Sequence, residues 1–133
     1  MRFLIIDPNT RTVRSVDCPT LDAAKIDAGL DPHRVDHGVI ARNLGIVVFE
    51  FGLFASPESI KYFVINGSLY AGPAVVYAYD NSGETTDAPE QLPWQPIWLD
   101  GADVETAITV GIVQRPQVTV DGEVVWSWKH QQA

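Results

Sequence analysis

Apolar residues in this chain come in short runs of four to six, broken by turn-forming residues, which is the signature of strands and not of long helices. The first run, residues 2–7 ("RFLIID"), is closed by Asp7 and Pro8 and followed by "NTR" and a second run, residues 12–17. Pro8 suits the second position of a turn, so the two runs predict a β-hairpin. "PTLDAAKIDAGL" predicts a short helix with Thr20 as N-cap, Asp22 in the first turn and Gly29 at its end, burying Leu21, Ala24 and Ala28. Residues 46–51 predict a strand punctuated by Gly45 and Gly52. Residues 61–66 and 68–70 form a second hairpin across Asn66-Gly67, the pair that favours a type I′ turn, and residues 74–79 form a further strand.

Three prolines make residues 87–96 an irregular surface loop. A helix is expected over residues 104–112, capped by Asp100 or Asp103 and ending near Gly111. Residues 117–120 and 123–128 pair across Asp121-Gly122 as a third hairpin, with Trp126 and Trp128 on one face by their spacing of two. Strands without a βαβ alternation give an α+β fold: a mainly antiparallel sheet of six to seven strands with two short helices. No repeat, low-complexity tract or linker divides residues 1–133, so a single domain is expected.

Charge changes this picture more than composition does. The net charge is −8, and its excess is confined to one block. Residues 62–114 contain no Lys or Arg but hold Asp80, Glu84, Asp87, Glu90, Asp100, Asp103 and Glu105. Non-specific nucleic-acid binding requires cations to replace phosphate counterions, so direct DNA or RNA binding is not expected. No apolar run reaches the roughly 20 residues that cross a bilayer. The start lacks the features of a signal peptide, and the single Cys18 cannot form an internal disulfide. A soluble cytoplasmic protein is expected.

Candidate chemistry is sparse. "DPHRVDH" offers Asp31, His33, Asp36 and His37 within seven residues, but its spacing matches no metal signature and reads as a polar loop. No motif activates Cys18 or a serine, and no glycine-rich phosphate loop opens a helix. Neither a metal, a cofactor nor a catalytic residue is assigned. The acidic block reads either as a solvated face or as a surface for a basic partner. Trp94 and Trp98 flank "QPI" in the Pro-rich segment, where exposed indoles suit an interface.

"MRFLIIDPNTRTVRSVD" with the helix after it, and "YFVINGSLYAGPAVVYAYDNSGETTD", resemble small uncharacterised accessory domains of phages and mobile elements. The resemblance covers about half the chain and implies context alone: an accessory protein acting on a host protein, including inhibition of host defence.

Two readings of function follow. The first is a non-catalytic protein that binds a host protein of basic surface through Asp80, Glu84, Asp87, Glu90, Trp94 and Trp98. The alternative is a small-molecule-binding protein with an aromatic pocket built from Tyr77, Tyr79 and Trp98. An enzyme of unrecognised type would instead show clustered polar groups of perturbed pKa in a cleft. Exposed edge strands and the alternating segment from Val124 also make a homodimer an expectation.

Overall fold

The computed structural model describes residues 1–50 and 61–128. Among these, eleven strands and two helices follow in the order β1 (Arg2–Asp7), β2 (Thr12–Asp17), α1 (Leu21–Asp27), β3 (Val35–Ala41), β4 (Leu44–Phe49), β5 (Lys61–Ile65), β6 (Ser68–Ala71), β7 (Ala74–Tyr79), β8 (Thr85–Thr86), β9 (Ile97–Asp100), α2 (Gly101–Thr109), β10 (Gln117–Val120) and β11 (Glu123–Ser127). Each pairing is antiparallel, so the fold is α+β with a mainly antiparallel sheet architecture.

The strands form three sheets. The main one runs β2-β1-β7-β4-β3, with β8 also paired to β7; a second runs β6-β5-β9, and β10-β11 stands as a hairpin. Strand alternation assigns the faces. Leu4 and Ile6 of β1, Ile46 of β4 and Val76 of β7 meet Phe63 and Ile65 of β5 in one core between the two larger sheets. Phe3, Ile5, Val47 and Val75 point the other way and pack with Ala24 of α1 and Leu30. On the far side of the second sheet, Tyr62, Val64 and Leu69 pack with Val104 and Ala107 of α2 and with Trp128. The result is four layers: helix, sheet, sheet, helix.

This layering explains why β1 reads as a continuous apolar run and not as an alternating one. Phe3, Leu4, Ile5 and Ile6 are all at most 1% exposed, because both faces of β1 are covered. Each such burial contributes about 1.5–3 kcal/mol relative to an exposed side chain.

The expected hairpins at both ends and the strand at Ala74–Tyr79 are present. Asn66 (φ 50) and Gly67 (φ 82) take the left-handed conformations that a type I′ turn needs, as do Asp121 and Gly122. Thr20 caps α1, its hydroxyl accepting from the Ala23 N–H at 3.1 Å. Helix α2 begins earlier than expected, at Gly101, with Asp100 at the N-cap. The Asp100 side chain makes no cap bond, its carboxylate instead accepting from Lys61 Nζ at 2.8 Å.

Eleven strands exceed the six to seven expected, and β3, β8 and β9 are the ones for which no run is marked in the sequence. The turn between β3 and β4 is Arg42-Asn43, with only Asn43 at positive φ and a register shift nearby, so it lacks both the glycine of the Asn66-Gly67 and Asp121-Gly122 turns and the proline of the first hairpin. Asp36 and His37 consequently lie in β3 and not in a loop. Strand β9 follows directly on the prolines and forms by pairing with β5, a contact distant in sequence. Phe51 and Gly52 lie outside the described residues.

Candidate binding cleft

β2 is an edge of the main sheet, and β9 is an edge of the second. Leu4 and Ser15 face one another across β1 and β2, as do Ile6 and Val13, on the side turned toward the second sheet. Where the sheets part, a cleft of about 370 Å³ opens, with Leu4, Val13 and Ser15 on one side and Leu92, Trp94, Pro96 and Trp98 on the other. Arg11, Glu90, Gln91 and Gln95 supply its polar lining.

The loop wall of this cleft is anchored at both ends. At its start, the Arg2 backbone N–H donates to Asp87 Oδ1 at 2.7 Å, the Ala88 N–H to the Arg2 carbonyl at 2.9 Å, and Arg2 Nε to the Ala88 carbonyl at 2.6 Å. Ala88 is itself fully buried in the inter-sheet core. At its end, Trp98 sits in β9 with its ring edge-on to Phe63, centroids 6.3 Å apart. Pro89, Pro93 and Pro96 between them fix φ at three positions, so the wall has little conformational freedom left to lose on binding.

Of the expected partner-binding set, Glu90, Trp94 and Trp98 come together in this cleft. Asp80 does not join them. Its Oδ1 accepts from the Ser82 N–H at 2.9 Å, Ser82 Oγ at 2.7 Å and the Glu84 N–H at 3.0 Å, closing the turn between β7 and β8. These bonds, led by the Ser82 hydroxyl, hold its carboxyl below the usual range. Asp87 is the loop anchor just described. Glu84 and Glu90 are exposed, and their carboxylates have no ion pair or hydrogen bond among the described residues.

The acidic block is therefore less uniform in space than along the chain. Asp100 meets Lys61 at 2.8 Å and Arg11 at 4.0 Å, and Glu105 pairs with Arg115. All three cations come from outside residues 62–114.

The alternative aromatic set is divided by the main sheet. Tyr77 packs on the α1 side, with its ring centroid 6.0 Å from Tyr79, whereas Trp98 packs between the sheets. Residues 77 and 79 share strand parity with each other and oppose Val76 and Ala78, so they turn away from the core that holds Trp98. The main sheet thus stands between the two tyrosines and Trp98.

Sequence reasoning missed Arg11, Val13, Ser15, Gln91 and Gln95. The parity of Val13 and Ser15 was readable, but nothing local places the β2 edge beside residues 90–98.

Elsewhere, His33 and Asp31 form a turn, the His33 N–H donating to Asp31 Oδ1 at 2.9 Å. His37 Nδ1 lies 3.4 Å from the Tyr77 hydroxyl, and burial, then the nearby Lys25 charge, lowers its pKa despite Asp36 and Asp22. Among the described residues no group of three His, Cys, Asp or Glu side chains is placed to hold a metal ion. Likewise no helix among them is long and apolar enough to cross a membrane. Trp128 is buried edge-on to Tyr62, while Val124 and Val125 of the last hairpin are more than half exposed.

Compared with protein-family models, curated proteins and solved structures, the chain matches none.

Proposed function

We propose that the protein is a non-catalytic binding module that engages a partner protein of basic surface. The contact uses the exposed carboxylates of Glu84 and Glu90 and the indoles of Trp94 and Trp98. The accessory role implied by the resemblance to phage and mobile-element domains would make that partner a host protein, with inhibition of host defence as the outcome. The observation that carries this reading is the convergence of Glu90, Trp94 and Trp98 on one anchored cleft. Glu84, exposed beside the turn between β7 and β8, also lacks an internal cation among the described residues. Indoles supply binding energy out of proportion to their number, and unpaired carboxylates accelerate encounter with a cationic surface.

The test is retention of a host protein on the immobilised full chain at rising salt. Wild type should hold its partner at low salt and release it as ionic strength screens the charges. Glu84→Lys/Glu90→Lys and Trp94→Ala variants, shown to be folded by circular dichroism, should each lose it. A partner held equally by wild type and both variants would sink the proposal.

A second reading, a small-molecule site in the same cleft, is favoured by its concavity and by a volume within the roughly 300–1,000 Å³ usual for such sites. Tyr77 and Tyr79 have no part in it.

A further inference from the structure

We propose that the cleft between β2 and the 87–96 loop binds a neutral saccharide, with a pyranose ring stacked on Trp94 or Trp98. Its hydroxyls would be hydrogen-bonded by Arg11, Ser15, Glu90, Gln91 and Gln95. The inference rests on the small-molecule reading of this cleft and names the ligand class.

Three observations select that class. The first is unused hydrogen-bonding capacity around aromatic surface. Among the described residues, the side chains of Ser15, Glu90, Gln91 and Gln95 and both indole N–H groups have no protein partner, yet all these residues line one cleft. Arg11 has only the 4.0 Å approach to Asp100. A sugar is the ligand that uses such a mixture. Its hydroxyls both donate and accept, matching amides, a hydroxyl, a carboxylate and a guanidinium, while its C–H face carries partial positive charge suited to the negative face of an indole.

The second is charge. Arg11 and Glu90 bring one unit of each sign to the lining, so the cleft sums to zero within a chain of net charge −8. A nucleotide or other polyanion would find one cation in this lining, already near Asp100. A polyhydroxylated neutral molecule loses nothing by that balance, since both charged groups strengthen its hydrogen bonds.

The third is shape. The cleft is open to solvent and sets five polar lining residues beside six apolar ones, which disfavours a wholly apolar ligand but leaves one ring face and its hydroxyl rim engaged at once. The anchored, proline-fixed loop keeps Trp94 and Trp98 in place before the ligand arrives.

The experiment titrates the full chain with glucose, galactose, mannose and N-acetylglucosamine and with their β1,4-linked dimers, followed by tryptophan fluorescence and calorimetry. At least one should give a saturable change, with affinity altered less than about twofold by added salt because the ligand carries no charge. Trp94→Ala should weaken it about tenfold or more, and the exposed-rim variants Gln95→Ala and Glu90→Gln about three- to tenfold each. The rim variants keep the test decisive should Trp94→Ala fail to fold. Absence of saturation with every sugar, or saturation unchanged in folded Trp94→Ala and both rim variants, would overturn the proposal. So would a proline-rich peptide control that saturates the site when no sugar does. Salt-sensitive capture of a partner protein without any sugar response would overturn the saccharide alone and leave the partner-binding reading standing. A salt-insensitive sugar response without partner capture would do the reverse.

Discussion

The ring of Tyr77 on β7 covers Gly45, its cross-strand partner on β4, so closely that a Cβ at position 45 would lie 2.4 Å from Tyr77 Cζ. Gly45 does not adopt a positive φ, so space and not backbone conformation requires the glycine. The same ring meets His37 of β3 edge-on, centroids 5.9 Å apart, and thereby ties three neighbouring strands together on the α1 side. Gly45→Ala should destabilise the fold by about 1–3 kcal/mol in urea unfolding, because the ring must leave its place. In a Tyr77→Ala background the same change should cost less than about 0.5 kcal/mol, and equal costs in both backgrounds would show that the ring is not the obstacle.

Lys25 presents a different strain. Its side chain is only 7% exposed, and its Nζ donates to Asp22 Oδ1 at 3.0 Å within the same helix. Asp22→Ala leaves the ammonium without that acceptor and should cost about 1–2 kcal/mol, tempered by the exposure of Asp22 itself. Lys25→Met removes the charge and keeps the stem, so it should be neutral or stabilising. Thermal unfolding of the two variants should move the midpoint in different directions or by clearly different amounts.

The turn closed by Asp80 makes stability depend on acid. Its folded-state pKa lies below the ordinary 3.8, first because of the Ser82 hydroxyl and then the Glu84 N–H. The folded carboxylate therefore holds its charge to lower pH than the unfolded one. The contribution is fully present above the unfolded value and fades as pH falls through the folded value. The gap in urea midpoint between wild type and Asp80→Ala should be constant from neutrality to about pH 5 and should narrow below about pH 4. A gap independent of pH would assign the effect to turn geometry and not to the charge.

The two indoles of the cleft should separate in their effect on folding. Trp98 is built into a strand and edge-packed on the fully buried Phe63, so Trp98→Ala should cost about 2–4 kcal/mol. Trp94 lies in the loop beyond that ring contact, and its replacement by Ala should cost about 1 kcal/mol. Chemical denaturation of both variants checks this, and comparable losses would place Trp94 within the core and not at its edge.

The features legible in the chain alone are local ones. Pro8, Thr20, Asn66-Gly67 and Asp121-Gly122 set turns and a cap within a few residues of themselves, so three hairpins and the first helix are legible from short spans. The acidic block and the partial exposure of Trp94 in a Pro-rich segment are legible in the same way. The rest of the fold and of the cleft depends on contacts distant in sequence. Strand β9 exists because Ile97–Asp100 pairs with Lys61–Ile65, and β3 turns back through Arg42-Asn43 without a glycine to announce it. Strand parity separated Tyr77 from Trp98, while sheet edges remote in sequence brought Arg11 and Ser15 to Trp94. The carboxylates were sorted similarly, since Lys61, Arg11 and Arg115 reach into a block that has no cation of its own. Turn chemistry acts over a few bonds and is written in neighbouring residues. The faces and edges that make a cleft arise when sheets stack, and no local pattern encodes which edges will meet.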